Sequence, residues 1–94
     1  MAAYWIAHVN IKDPAQYKNY MDLAPAAFRR FNARFLARGG EAETLEGTPF
    51  QKHVVIEFDD YQSALQCYHS PEYQRARAER EAVADALITL VDGL

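Results

Sequence analysis

The chain has 94 residues, half of them hydrophobic, with five Phe, six Tyr and one Trp. That is enough for one compact domain spanning residues 1–94 and too little for two. A formal charge of -3 at pH 7 argues against the positive field that phosphate-backbone binding needs, so nucleic acid is not an expected partner. The single cysteine, Cys67, excludes an intramolecular disulfide and suits a reducing compartment, so a cytoplasmic location is expected.

Residues 3 to 11, AYWIAHVNI, alternate as a strand does, with Trp5, Ala7, Val9 and Ile11 on one side and Tyr4, Ile6, His8 and Asn10 on the other. No basic stretch precedes this run, and His8 and Asn10 interrupt it well before membrane-spanning length, so a mature first strand is expected and no membrane partner. In DPAQ, Asp13 stands as N-cap, Pro14 at the first helical position and Gln16 three residues after the cap. Tyr17, Tyr20, Met21, Ala24, Ala27, Phe28 and Phe31 then form one apolar helical stripe. Pro25 inside that stripe predicts a kink near Asp22 to Pro25, because it removes a backbone donor.

RFLARGG and KHVVIEF, separated by a turn at Gly47, Thr48 and Pro49, read as a hairpin of strands 2 and 3, with a bulge or bend at Gly39-Gly40. A two-piece helical segment follows, capped by Asp59 or Asp60 and reopened by Ser70-Pro71. In YHSPEYQRARAERE most of the charge has an architectural explanation. Glu72 complements the helix dipole, and Arg75 with Glu79 and Arg77 with Glu81 are spaced to pair across one turn. Arg80 does not fit that account. It shares a stripe with Tyr73, Ala76, Val83 and Leu87 that should face the protein, where it could snorkel outward or hold a buried carboxylate. Residues 86 to 93, ALITLVDG, close the chain as a strand.

The order βαββαβ predicts an α+β, ferredoxin-like split sandwich: a four-stranded antiparallel sheet in order 4-1-3-2 with the helices on one face. The other face, carrying Tyr4, Ile6, Val55, Leu87, Thr89 and Val91, is too apolar to stay bare, so a homodimer through this open face is expected. If Trp5, Val9, Val54, Ile56 and Phe58 face the helices, then His8, Arg38, His53 and Glu57 share the open side, and Glu57 on strand 3 stands between His8 and Arg38. The chemistry this pattern suggests is His8 and Glu57 as a catalytic acid-base pair, with Arg38 binding a carboxylate or oxyanion of a small anionic substrate. The alternative is an ion-pair network lining the dimer interface. No metal is expected. His53 and Glu57, four residues apart on one strand, lie roughly 13 Å apart along the backbone, too far to share an ion.

Taken together, YWIAHV, DPAQYKNYMDLAPAAF, RFLARGG, VVIEF and SPEYQRAR resemble the domain of unknown function 1330 family of the dimeric α/β-barrel superfamily. The resemblance spans nearly the whole chain and implies a ferredoxin-like protomer whose sheet packs on that of a second subunit. It carries over no catalytic residues. Related families include cofactor-independent monooxygenases, haem-degrading enzymes and a lactone isomerase, with clefts between helices and sheet or inside the barrel. Two functions are therefore carried forward, with no cofactor in either: an enzyme using acid-base chemistry on an acidic or enolisable substrate, and a non-catalytic dimeric module that binds a small ligand.

Overall fold

The computed structural model describes residues 1–94. Strand β1 is Ala3–Ile11, helix α1 Pro14–Arg30, β2 Arg34–Arg38, β3 Lys52–Phe58, α2 Tyr61–His69, α3 Pro71–Arg80 and β4 Ala84–Asp92. The strands form one antiparallel sheet in the order β2-β3-β1-β4, which is the predicted 4-1-3-2 arrangement read from the other edge. All three helices cover one face. The Cα extents of 33 × 32 × 17 Å describe a two-layer slab with nothing on the sheet's other side.

Local chemistry accounts for most element boundaries. Asp13 accepts a hydrogen bond from the Gln16 amide, Asp60 from that of Ser63, and Ser70 from that of Tyr73, each satisfying an amide that the first helical turn leaves without a partner. Helix α1 ends on Asn32, the one non-glycine residue with positive φ (56°). The Asn32 amide donates to the Arg29 carbonyl and the Ala33 amide to that of Phe28, a Schellman closure that asparagine tolerates better than most side chains. Helix α1 continues through Pro25, where the sequence places a kink, without a break in its helical assignment. Burial of Ala24, Ala27 and Phe28 on its inner side offsets the missing backbone bond. Strand β4 begins at Ala84, two residues earlier than the β-rich run suggested, because it pairs along the whole of β1 from Ile11 to Ala3.

The core lies between the helices and the inner sheet face. Trp5, 1% exposed, is its centre, with Phe28 and Tyr73 edge-on at ring-centroid distances of 5.2 and 4.9 Å and Phe58 stacked at 6.0 Å. Aromatic pairs of this geometry each contribute about 0.5–1.5 kcal/mol beyond area burial. Cys67 is buried in the same cluster, and burial, with the Glu72 charge a lesser cause, pushes its thiol up to about 12. It is a packing residue rather than a nucleophile.

Strand β2 departs from simple alternation. Arg34 pairs with Glu57 and Phe35 with Ile56, but Ala37, not Leu36, pairs with Val55, and Arg38 with Val54. Leu36 is thus the extra residue of a β-bulge, which reverses the facing of every residue after it. Of the bulge or bend expected at Gly39-Gly40, the structure has the bend, made by two positive-φ glycines, and the Gly39 amide still continues the ladder to the His53 carbonyl at 2.9 Å.

Candidate ligand pocket

The bulge at Leu36 decides where the charged residues of the hairpin go. Arg34 stays on the open face, where its Nε donates to Glu57 at 2.9 Å and its Nη1 to Asp59 at 3.0 Å. Arg38 is carried to the helix side, where its guanidinium lies 4.4 Å from the centroid of the Phe35 ring. The expected grouping of His8, Glu57 and Arg38 is therefore not formed. His8 lies opposite His53, with their Nδ1 atoms 2.8 Å apart, while Glu57 lies opposite Tyr4. Four residues of strand separate His8 from Glu57, roughly 13 Å. The carboxylate cannot orient that imidazole.

On the helix side, α1 and the inner sheet face enclose a cavity of about 320 Å³, within the usual range for small-molecule sites. Trp5, Phe28, Phe35, Val54, Ile56 and Ile88 supply its apolar wall. Met21 and Pro25 line it too, and these are the two residues between which the helix lacks a backbone bond. Its charged lining consists of Arg38 from β2, Lys52 from β3 and Arg80 from α3. All three are cations, and no carboxylate or histidine reaches the cavity.

Each cation is placed by a different element. Lys52 opposes Val9 and so shares the inward phase of Val54, Ile56 and Phe58. Its ammonium lies 5.7 Å from the centre of the Tyr17 ring. Burial, and secondarily the charge of Arg38, lower its pKa from the ordinary lysine value. Arg80 is 7% exposed and makes no ion pair, so it neither snorkels outward nor holds a buried carboxylate, the two alternatives the sequence offered. Its Nη2 donates to the Tyr73 hydroxyl at 3.1 Å, its guanidinium lies over the Tyr20 ring at 5.2 Å, and its Nε has no acceptor. Burial raises the pKa of both Tyr20 and Tyr73, so each hydroxyl stays protonated and able to donate.

The remaining charge of α3 is structural, as the sequence suggested. Arg77 pairs with Glu81 at 3.3 Å, whereas Glu72 bonds Arg30 and so ties α3 to α1; Arg75 and Glu79 make no pair. Lys52 and Tyr20 were missed as site residues, although Lys52 had a legible signal. It is a charge at the inward phase of an otherwise apolar strand, the same anomaly that singled out Arg80.

No helix is long and apolar enough to cross a membrane. No curated protein is similar enough to count as a match. Among solved structures, a protein of unknown function from Rhodopseudomonas palustris superposes with a TM-score of 0.80 at 16% identity, covering 99% of this chain and 82% of its own. A dimeric ferredoxin-like protein of unknown function from Thermobifida fusca YX gives 0.65 at 20% identity, covering 99% and 92%. SnoaB, a cofactor-independent oxygenase from Streptomyces nogalater, gives 0.68 at 14% identity, covering 99% and 93%. These likenesses establish the ferredoxin-like fold. Residues 2–94 match the family described as Domain of unknown function (DUF1330), and the chain belongs to that family.

Proposed function

We propose that this protein binds a small, largely apolar molecule carrying one negative charge in the cavity between α1 and the sheet. One observation carries this reading: apolar walls surround the cavity, and every charged side chain lining it, Arg38, Lys52 and Arg80, is positive. Of these, Lys52 is half-buried and Arg80 buried, and neither has a carboxylate partner, an arrangement that is costly until an anion joins it. Arg38 keeps the substrate-binding role expected of it, from the opposite face of the sheet.

The enzymatic form of the proposal uses the same groups on an enolisable substrate. In the unprotonated fraction of Lys52, which burial and the Arg38 charge enlarge, the amine takes the α-proton and becomes an ammonium, and the electron pair of the broken C–H bond moves onto the carbonyl oxygen, where Arg38 and Arg80 stabilise it. SnoaB, described as a cofactor-independent oxygenase, has the same fold, which supports a catalytic reading by analogy of fold alone. His8 and Glu57 have no part in this chemistry, since neither lines the cavity.

The open sheet face belongs, in this reading, to a homodimer interface. Leu87 and Val91 are 52% and 43% exposed there, beside Ile6 and Val55, and relatives of the same fold are described as dimeric. The single buried cysteine, Cys67, without a partner for a disulfide, agrees in this reading with a cytoplasmic protein.

Calorimetry with 2-naphthoate and its neutral amide tests the binding site. Naphthoate should bind saturably and more tightly than the amide, and Arg38→Ala should weaken naphthoate about tenfold or more, the usual worth of a charge-assisted hydrogen bond. Equal affinity for acid and amide, or no binding of either, overturns the reading.

A further inference from the structure

The three-residue chain Arg80–Tyr73–Tyr20 has a direction that its chemistry fixes. A guanidinium only donates hydrogen bonds, so the Tyr73 oxygen accepts from Arg80 Nη2 at 3.1 Å. The Tyr73 side chain is fully buried, and its hydroxyl has one other partner, the Tyr20 hydroxyl at 2.9 Å. Arg80 cannot accept the Tyr73 hydrogen, and a buried hydroxyl left without an acceptor costs about 1–3 kcal/mol. The hydrogen must therefore go to the Tyr20 oxygen. Tyr20's own hydrogen then cannot lie along the same line, and Tyr20, unlike Tyr73, lines the cavity.

We infer that Tyr20 is the hydroxyl donor to the anionic oxygen of the cavity's occupant, with its hydrogen aimed inward by Arg80 acting through Tyr73. A second observation points to an oxyanion at the same end of the cavity. Arg80 lines the cavity, is 7% exposed, has no carboxylate partner and leaves its Nε without an acceptor. An oxyanion accepting from Tyr20 sets a negative charge near that guanidinium, whose face lies over the Tyr20 ring. Donation along the chain from a cation also polarises the Tyr20 O–H, making it a stronger donor than an isolated phenol. The ligand class that fits is a single charged oxygen, enolate-like or phenolate-like, on a small flat apolar body. Arg38 and Lys52, from the other strands lining the cavity, supply longer-range positive charge without fixing the direction of a hydrogen bond. Tyr17, on the same helix as Tyr20, lies beside Lys52.

This inference rests on the proposed anion pocket, and the experiment separates the two. The probe is 4-nitrophenol, whose ionisation is read by absorbance, with 4-nitroanisole as its neutral counterpart. Bound to the wild-type protein, 4-nitrophenol should ionise at least about one pH unit below the free compound, the tenfold preference for anion that one charge-assisted hydrogen bond supplies. Tyr20→Phe should move the midpoint most of the way back, weakening 4-nitrophenolate more than 4-nitroanisole, with the far-UV circular dichroism unchanged. Tyr73→Phe, which leaves the Tyr20 hydroxyl in place but releases its hydrogen, should move it back by a smaller amount. A shifted midpoint that neither variant changes overturns the role of Tyr20 and leaves the anion pocket standing on Arg38 and Lys52. Failure of both probes to bind overturns the pocket and the inference together.

Discussion

Arg34 Nε lies 2.9 Å from Glu57 Oε1 on the open sheet face, as the partner that the sequence predicts in Arg38. The exchange of one arginine for the other moves anion recognition from the open face to the helix side. It also leaves the Arg34 pair solvent-accessible, with side-chain exposures of 42% and 27%.

A double-mutant cycle tests this assignment directly. Arg34→Ala combined with Glu57→Gln should show a coupling of about 0.2–1 kcal/mol in chemical denaturation, typical of an exposed ion pair. Arg38→Ala combined with Glu57→Gln should be additive within the usual scatter. Coupling of Arg38 but not Arg34 to Glu57 refutes the register of β2.

The proposed dimer makes its own demand on the open face. Val55 projects there between Ile6 and Ala37, its neighbours in register on the two flanking strands. Light scattering should show twice the 10.7 kDa chain mass at micromolar concentration, and Val55→Asp, by placing an unpaired carboxylate in the interface, should shift the protein to monomer. A wild-type monomer, or a Val55→Asp dimer of unchanged strength, rules out this face.

Ser70 joins α2 to α3 with two hydrogen bonds. Its hydroxyl donates to the Cys67 carbonyl at 2.7 Å and accepts from the Tyr73 amide at 3.2 Å, and the residue is 5% exposed. Ser70→Ala should therefore destabilise the protein by about 0.5–2 kcal/mol, and toward the upper end because both groups left behind are buried. A denaturation midpoint equal to wild type would contradict that account. Since Tyr73 packs directly after this cap, the same variant should also disturb the Arg80–Tyr73–Tyr20 chain.

Features under short-range chemical control were legible from the residues alone. Asp13-Pro14, Asp60 and Ser70-Pro71 start helices because a side-chain oxygen three residues from an orphan amide reaches it whatever the rest of the chain does. The alternation of β1 and β3 sorts Trp5, Val9, Ile56 and Phe58 inward because side chains of a continuous strand alternate faces. The inward phase likewise exposed Arg80 as an anomaly, and covering it follows from the stripe it shares with Tyr73 and Ala76. The facing of Arg38, the pairing of Glu57 with Arg34 and the Arg80–Tyr73–Tyr20 hydrogen-bond chain depend on how distant segments meet. Alternation is a local rule that a single extra residue resets, and nothing in the residue type of Leu36 marks it as that residue. The bulge exists because β2 pairs with β3 in a register shifted between Phe35 and Ala37, and a register is a property of two strands rather than one. The hydrogen-bond chain depends in the same way on bringing together residues up to 60 positions apart, where burial leaves Tyr73 only one acceptor for its proton.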